Sequence, residues 1–132
     1  EQPHVMAHDA RGPDGCRPAI EDGATVEQLL KLRAEVAALR AMTYLSVSRG
    51  ARQAVPGPEG NIIALHYAEL SQRIHAFAVE LLGNEALETH AENPDWLTDY
   101  LDAFKNTIAG GTSEIRRNVI GERLLGLPRG GR

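Results

Sequence analysis

Cysteine is almost absent from this sequence, which has only Cys16 among its 132 residues. A single thiol can form neither an internal disulfide nor a cysteine-based zinc site, and such sparing use predicts a reducing compartment. No stretch approaches the roughly 20 continuous apolar residues that a membrane-spanning helix needs. The net charge of −4 argues against a basic nucleic-acid-binding surface. We therefore expect a cytoplasmic protein whose partners include neither a membrane nor a nucleic acid.

The length is that of one modest domain, and an apolar content of 42% can supply its core. The chain begins with Glu1 rather than methionine, without a charged-then-apolar leader. We expect either a processed chain or a piece of a longer one. Charge is uneven, with a net −6 over residues 84–104 and +4 over residues 105–132. These blocks either attract each other within the fold or offer the basic end to an anion.

The first half of the chain predicts an arm followed by a long helix. Residues 1–24 hold several prolines and glycines without a sustained apolar period, which is typical of an irregular arm. Residues 25–50 are rich in good helix formers, with Thr25 as the predicted N-cap and Gly50 as the predicted end. The apolar face of this helix consists of Leu29, Leu32, Val36, Leu39 and Thr43.

Residues 59–82 carry the clearest helical pattern, because their apolar positions alternate steps of four and three. These positions are Ile63, Tyr67, Leu70, Ile74, Phe77 and Leu81. Gly83 is the predicted end of this helix. A third helix is predicted to begin with Asn93 as cap and Pro94 at its first position. Its apolar face comprises Trp96, Leu97, Tyr100, Leu101 and Phe104.

A last helix follows the Ala109-Gly110-Gly111 break, with Ile115, Val119 and Leu124 on one face. No segment has a convincing strand pattern. The sequence therefore predicts an all-α fold, in which residues 25–132 form an up-and-down helical bundle of about four helices.

The Gly110-Gly111-Thr112-Ser113 segment is the one candidate binding site that the residues alone suggest. Two glycines permit unusual backbone conformations and close approach of another group, and a helix start with hydroxyl side chains can bind an anion. An ordinary interhelix turn with a hydroxyl cap explains the same residues. The five histidines show no metal-ligand spacing, so no metal site is predicted. No arrangement of a nucleophile with a base is present either.

The string NTIAGGTSEIRRNVIGERLLGLPRG, residues 106–130, closely resembles the C-terminal signature of acyl-CoA dehydrogenases. Residues 68–83, AELSQRIHAFAVELLG, look like the family helix that ends in a leucine-glycine turn, and residues 14–42 give a weaker match. These enzymes are flavoproteins that oxidise an acyl-CoA thioester to its 2,3-enoyl form. The resemblance implies that the chain is the later part of the family's C-terminal helical domain.

By this resemblance, FAD is the cofactor and lies between domains and across a subunit interface. Gly83, Gly111, Thr112 and Glu114 are the positions expected to contact it, on the same or a neighbouring subunit. The implied partner is a second copy or a longer acyl-CoA dehydrogenase subunit, and acyl-CoA is the substrate of a complete enzyme only.

Several positions depart from the family pattern. Many members carry the catalytic glutamate where this chain has Gly110, so no catalytic residue is predicted here. Glu80 replaces the glutamine common before the family's Gly-Gly turn, and Asn84 replaces the second glycine. Asp22-Gly23 stands where an aspartate-proline pair is common, with Val26 where an arginine is expected. A carboxylate near a pyrophosphate lowers affinity, which argues against stable autonomous binding of FAD by this chain.

Two functions from different classes follow. In the first, the chain is the C-terminal part of a flavin-dependent acyl-CoA dehydrogenase, which supplies FAD contacts and subunit interface without being active alone. In the second, it is a non-catalytic helical assembly module that dimerises or binds a full-length dehydrogenase subunit, because an uncovered apolar stripe favours association.

Overall fold

The computed structural model describes residues 10–11, 18–53, 59–87 and 95–129. Within these residues the fold is all-α, an up-and-down helical bundle of four α-helices, as the sequence predicts. The helices are α1 (Gly23–Gln53), α2 (Glu59–Leu82), α3 (Trp96–Ala103) and α4 (Ser113–Arg123). Short 3-10 helices at Ala19–Glu21, Gly83–Leu87 and Phe104–Thr107 precede α1, follow α2 and extend α3. The backbone of Arg11 pairs with that of Pro18 in an isolated antiparallel β-bridge, which is not a strand.

Helix α1 is longer at both ends than the sequence predicts. Asp22, and not Thr25, caps its start: the Asp22 carboxylate accepts hydrogen bonds from the backbone N of Thr25 at 2.8 Å and from its hydroxyl at 2.9 Å. The predicted end at Gly50 is wrong, since the helix runs on to Gln53. A glycine inside a helix costs only about 1 kcal/mol, which neighbouring turns can offset.

Helix α2 is the centre of the bundle, because it contacts each of the other three helices. Its observed bounds are those that the alternating steps of four and three predict, and Gly83 follows it with a φ of +56°. Helix α1 lies antiparallel to α2, as two ion pairs along their contact show. Arg49 near the end of α1 meets Glu59 at the start of α2, whereas Glu35 meets Arg73 further along.

The core lies between the first half of α1 and the part of α2 that runs from its middle to its end. Its buried members are Leu29, Leu32, Leu70 and Phe77, with Ile20, Leu39, Ile74 and Leu81 partly buried against them. Other residues of the predicted apolar faces are not covered. Val36, Thr43 and Tyr67 are exposed.

Helix α3 begins later than predicted. Asp95 caps it, with its carboxylate accepting from the backbone N of Thr98 at 3.0 Å; the predicted cap Asn93 and Pro94 lie outside the described residues. Trp96 and Ala103 are buried against the bundle, whereas Leu101 and Phe104 of the predicted face are exposed. The arm predicted over residues 1–24 is described only at residues 10–11 and 18–24, where Ala19 donates to the carbonyl of Ala10 at 2.7 Å.

Leu70→Ala is expected to lower the free energy of unfolding by about 2–5 kcal/mol, because it empties a buried position in the core. Leu70 is 2% exposed, whereas Leu101 in α3 is 61% exposed. The matched change Leu101→Ala should therefore stay within about 0.5 kcal/mol of the wild type. Urea unfolding followed by circular dichroism measures both, and equal losses would contradict this placement of the core.

Candidate functional site at the Gly-Gly turn

The turn between α3 and α4 depends on two glycines with positive φ. Gly110 has a φ of +70° and Gly111 a φ of +109°, a region that residues with a Cβ rarely adopt. A Cβ built on Gly110 would lie 3.5 Å from Nη2 of Arg116, and one on Gly111 would lie 3.7 Å from the Ile115 side chain. These are ordinary contacts, so backbone conformation rather than lack of space requires glycine here.

Thr112 caps α4, as one of the two interpretations of this segment predicts. Its hydroxyl accepts from the backbone N of Ile115 at 3.3 Å, and its carbonyl accepts from the backbone N of Arg116 at 2.9 Å. The pKa of Glu114 lies below its usual range because the carboxylate accepts from its own backbone amide and from the Thr112 hydroxyl. The first turn of α4 therefore already holds a negative charge supplied by the chain itself.

Arg116 fixes the turn to the rest of the bundle. Its Nη1 donates to the carbonyl of Ala64 in α2 at 3.1 Å and to that of Asn106 at 3.2 Å. Its Nη2 donates to the carbonyl of Ala109 at 2.8 Å. One guanidinium thus joins α2, the 3-10 extension of α3 and the turn. A shorter side chain, or one with a single nitrogen, could not reach all three carbonyls in this way.

A second polar contact supports the same junction. Gln72 of α2 donates through Nε2 to the hydroxyl of Thr107 at 3.0 Å, and that hydroxyl donates to the carbonyl of Phe104 at 2.8 Å. Beside it, the Ser113 hydroxyl is buried, with the residue 8% exposed, and has no partner among the described residues. Buried polar groups are normally hydrogen-bonded, so Ser113 is an open donor and acceptor next to the turn.

The structure does not bring all predicted cofactor contacts together. Gly111, Thr112 and Glu114 lie within four successive residues at the start of α4, and Arg116 in the same helix contacts Ala64 of α2. Gly83 lies beyond the far end of α2, roughly 28 Å from Ala64 at a rise of about 1.5 Å per residue. Glu80, near that end, lines a groove between α1 and α2 with Lys31, Arg73 and the buried Leu32 and Phe77.

Other predicted features can be located only in part. In the described part of the chain no group of His, Cys, Asp and Glu side chains could hold a metal ion. His4, His8, His90 and Cys16 lie outside the described residues. No described helix is long and apolar enough to cross a bilayer. The sequence analysis missed Arg116, because its three acceptors are backbone carbonyls that carry no sequence signal.

The fold and the site together define a class of protein, which is an all-α bundle whose last helix follows a capped Gly-Gly turn. The chain belongs to the acyl-CoA dehydrogenase family: the family model for the acyl-CoA dehydrogenase C-terminal domain matches residues 4–125. That match covers all four helices and the turn, and it confirms the family suggested by the sequence motifs.

Two relatives named acyl-CoA dehydrogenase IpdE1 are similar to this chain. The protein from Mycobacterium tuberculosis is 31% identical over 112 residues, which is 84% of this chain and 29% of that protein. The one from Mycolicibacterium smegmatis is 32% identical over 112 residues, or 84% of this chain and 27% of that protein. The chain thus spans less than a third of the length of these relatives.

A solved structure shows the same fold. The crystal structure of the ChsE4-ChsE5 complex from Mycobacterium tuberculosis matches with a TM-score of 0.76 at 20% identity. The similarity covers 98% of this chain and 34% of that one. The same helical arrangement therefore occurs in that structure as part of a longer chain.

Arg116→Ala is expected to lower the free energy of unfolding by about 1.5–3 kcal/mol, because a charged donor to three carbonyls is lost. The neighbouring change Arg117→Ala removes only an exposed ion pair with Glu69 and should cost at most about 1 kcal/mol. Trypsin should also cleave after Lys105 faster in the Arg116 variant only. Equal cleavage rates in the two variants would contradict the role of Arg116.

Glu35 is expected to stabilise the fold in a pH-dependent way. Hydrogen bonding to Arg73 holds the pKa of Glu35 below its ordinary value of 4.5, so its contribution is present above the unfolded pKa and is lost as pH falls through the folded pKa. The difference in unfolding midpoint between wild type and Glu35→Gln should therefore shrink from pH 6 to pH 3. Glu85→Gln, at an exposed position after α2, is the control and should show no such change.

Proposed function

We propose that the chain is the C-terminal part of a flavin-dependent acyl-CoA dehydrogenase, an enzyme that oxidises an acyl-CoA thioester to enoyl-CoA. In this role it supplies FAD contacts and part of a subunit interface, and it is not active alone. The observation that carries the proposal is that a member of this family keeps a rigid, capped Gly-Gly turn at the position of the family signature. The proposal places it in the fatty acid metabolism of the cytoplasm.

Three features of the turn fit a flavin nucleotide. The glycine backbone at Gly110 and Gly111 allows a flat or charged group to approach closely. The Ser113 hydroxyl is buried and has no hydrogen-bond partner among the residues that the structure describes, and the start of α4 offers its dipole to a phosphate. Glu114 opposes an anion there, so the fit favours the sugar or ring portion of the nucleotide over a bare pyrophosphate.

FAD, when bound, would accept the hydride of the oxidation. The residues of this chain would hold and orient it and would not remove the substrate proton. Gly110 has no side chain, and Glu114 is engaged with its own amide and with Thr112. A base must therefore come from another part of a complete enzyme.

Gly83 would contact a different flavin from the one at the Gly-Gly turn. The two points lie toward opposite ends of α2, roughly 28 Å apart along the helix, which is the geometry expected when a cofactor sits across a subunit interface. This arrangement supports a partner that is a second copy or a longer dehydrogenase subunit.

The alternative proposal, a non-catalytic assembly module, is favoured by one observation. Large apolar side chains are exposed on α1 and around the turn. Such surfaces usually mark interaction sites. The two proposals differ in whether the Gly-Gly turn contacts FAD.

An NMR titration of the labelled chain with FAD tests the contact, because it detects binding too weak for copurification. We expect amide shifts at Gly111, Thr112 and Ser113, and their loss in Gly111→Ala, since alanine rarely adopts a φ of +109°. Gly60→Ala in the first turn of α2, where no atom is within 4 Å of the added Cβ, is the control and should retain the shifts. No shifts at millimolar FAD, or shifts confined to other residues, would overturn the flavin contact and favour the assembly module.

A further inference from the structure

Gly110 has an open face that adjoins a guanidinium. The residue is exposed, and its φ is +70°. A Cβ built on it would have a single close neighbour in the described part of the chain besides the adjoining residues, which is Nη2 of Arg116 at 3.5 Å. A group that approaches Gly110 from this side therefore meets a cationic donor first.

The Arg116 guanidinium keeps donors in reserve. A guanidinium has five N–H donors in one plane, and the three bonds of Arg116 to backbone carbonyls come from Nη1 and Nη2. Nε and one hydrogen of Nη2 thus have no acceptor among the described residues. Ser113 Oγ is the one buried side-chain atom without a partner in that part of the chain, so Nε of Arg116 is open to solvent. Neighbouring guanidinium nitrogens of this kind are the donors that a carboxylate bridges.

The charge of Arg116 is not neutralised within the described residues. Its neighbours along the chain each have a carboxylate partner, Asp102 for Lys105 and Glu69 for Arg117. The three acceptors of Arg116 are all neutral carbonyls. The backbone amides of Gly110 and the following glycine also donate to no described residue. The turn therefore combines an uncompensated positive charge with free donors on one open face.

We propose that the open face of Gly110 is a binding site for a carboxylate group, held by Arg116 and by the free amides of the turn. The site follows from the geometry of this chain alone. Its ligand is the carboxylate of an acyl substrate that carries one in addition to its thioester, and only this source rests on the proposed function. The flavin contacts proposed at Gly111, Thr112 and Ser113 are separate from it.

A carboxylate suits this position better than a phosphate does. The place of the absent Cβ is open and lies at contact distance from Nη2, so a planar group on one carbon can reach the guanidinium. Glu114 lies in the first turn of the same helix, and its lowered pKa keeps it negatively charged. Its repulsion is about twice as large for a dianionic phosphate as for a carboxylate at the same distance.

A carboxylate bound here would be a poor base. A neighbouring guanidinium favours the charged form of a carboxyl group and so lowers its pKa, whereas a general base works best with a pKa near the operating pH. The group at Gly110 is therefore better suited to anchor a ligand than to remove a proton from one. This favours a substrate carboxylate over a catalytic side chain from elsewhere in a complete enzyme.

An NMR titration of the labelled chain with sodium propionate, at constant ionic strength, tests the site. We expect saturable millimolar shifts at the amides of Gly110 and Gly111 and at Nε–H of Arg116. The neutral isostere propionamide should cause none. Arg123, for which no carboxylate partner is found among the described residues, is the control arginine on the same helix and should show no saturable shift. Equal shifts at Arg123, or tighter binding of phosphate than of propionate, would overturn the proposal.

Variants then separate the guanidinium from the rest of the turn. Arg116→Gln, checked for folding by circular dichroism, should raise the dissociation constant of propionate at least about tenfold, because a charged hydrogen bond is lost. Arg123→Gln should leave it unchanged. Unchanged binding in a folded Arg116→Gln variant would remove Arg116 from the site.

A matched pair at Gly110 gives a second test that needs no ligand. Aspartate and asparagine both tolerate a positive φ, so Gly110→Asp supplies its own carboxylate and Gly110→Asn is the neutral control. The equilibrium constant for unfolding should be up to about fivefold lower in Gly110→Asp at pH 7, the range of an exposed ion pair. Arg116 lowers the folded pKa of the new carboxyl, so this advantage is lost as pH falls through that value. It should also vanish in an Arg116→Gln background, and an advantage that persists there would contradict the proposal.

Competition against propionate identifies the source of the carboxylate. If an acyl substrate supplies it, glutaryl-CoA should displace propionate, whereas hexanoyl-CoA, which lacks the second carboxylate, should not. Displacement by free glutarate alone would overturn the substrate as source. Propionate binding without any shift from FAD would remove the flavin contact and leave this site in place. FAD shifts without propionate binding would overturn this site and leave the proposed function intact.

Discussion

Burial of the α2 seam is the interaction on which the rest of the structure depends. Leu70 and Phe77 provide the buried side chains against which α1 packs, and α2 contacts each of the other three described helices. Apolar burial contributes roughly 25 cal/mol per Å², and Leu70 is the largest fully buried side chain among the described residues. Helices α1, α3 and α4 are therefore each positioned against α2, and so is the Gly-Gly turn.

The extent of α2 could be predicted from sequence because one strong periodicity, with Gly83 after it, defines both its face and its end. The start of α1 could not, since both Asp22 and Thr25 are good capping residues and only the fold decides which carboxylate or hydroxyl is used. Gly50 was misleading because a single glycine is a weak stop inside a long helix. Val36 and Tyr67 fit the apolar period yet stay exposed, because periodicity identifies a face without showing whether anything covers it.

The segment that forms the candidate site could be predicted from the sequence, but the contacts that hold this segment in place could not. Glycines followed by a threonine signal a turn and a cap in any helical protein, and the proposed flavin contact is assigned to that turn by the family signature. Arg116, which fixes the turn, bonds to three carbonyls from three parts of the chain. No local pattern encodes such a set. The separation of Gly83 from the turn likewise follows from the length of α2. It can be calculated only once α2 is known to be one continuous helix.

Native-state hydrogen exchange tests the central claim, that α2 and the Gly-Gly turn form one cooperative unit through Arg116. The account predicts that the backbone amide of Arg116 exchanges by the same global opening as those of Leu70 and Phe77, with the same dependence on denaturant. It would be contradicted if the Arg116 amide exchanged orders of magnitude faster and independently of denaturant while the α2 amides stayed protected.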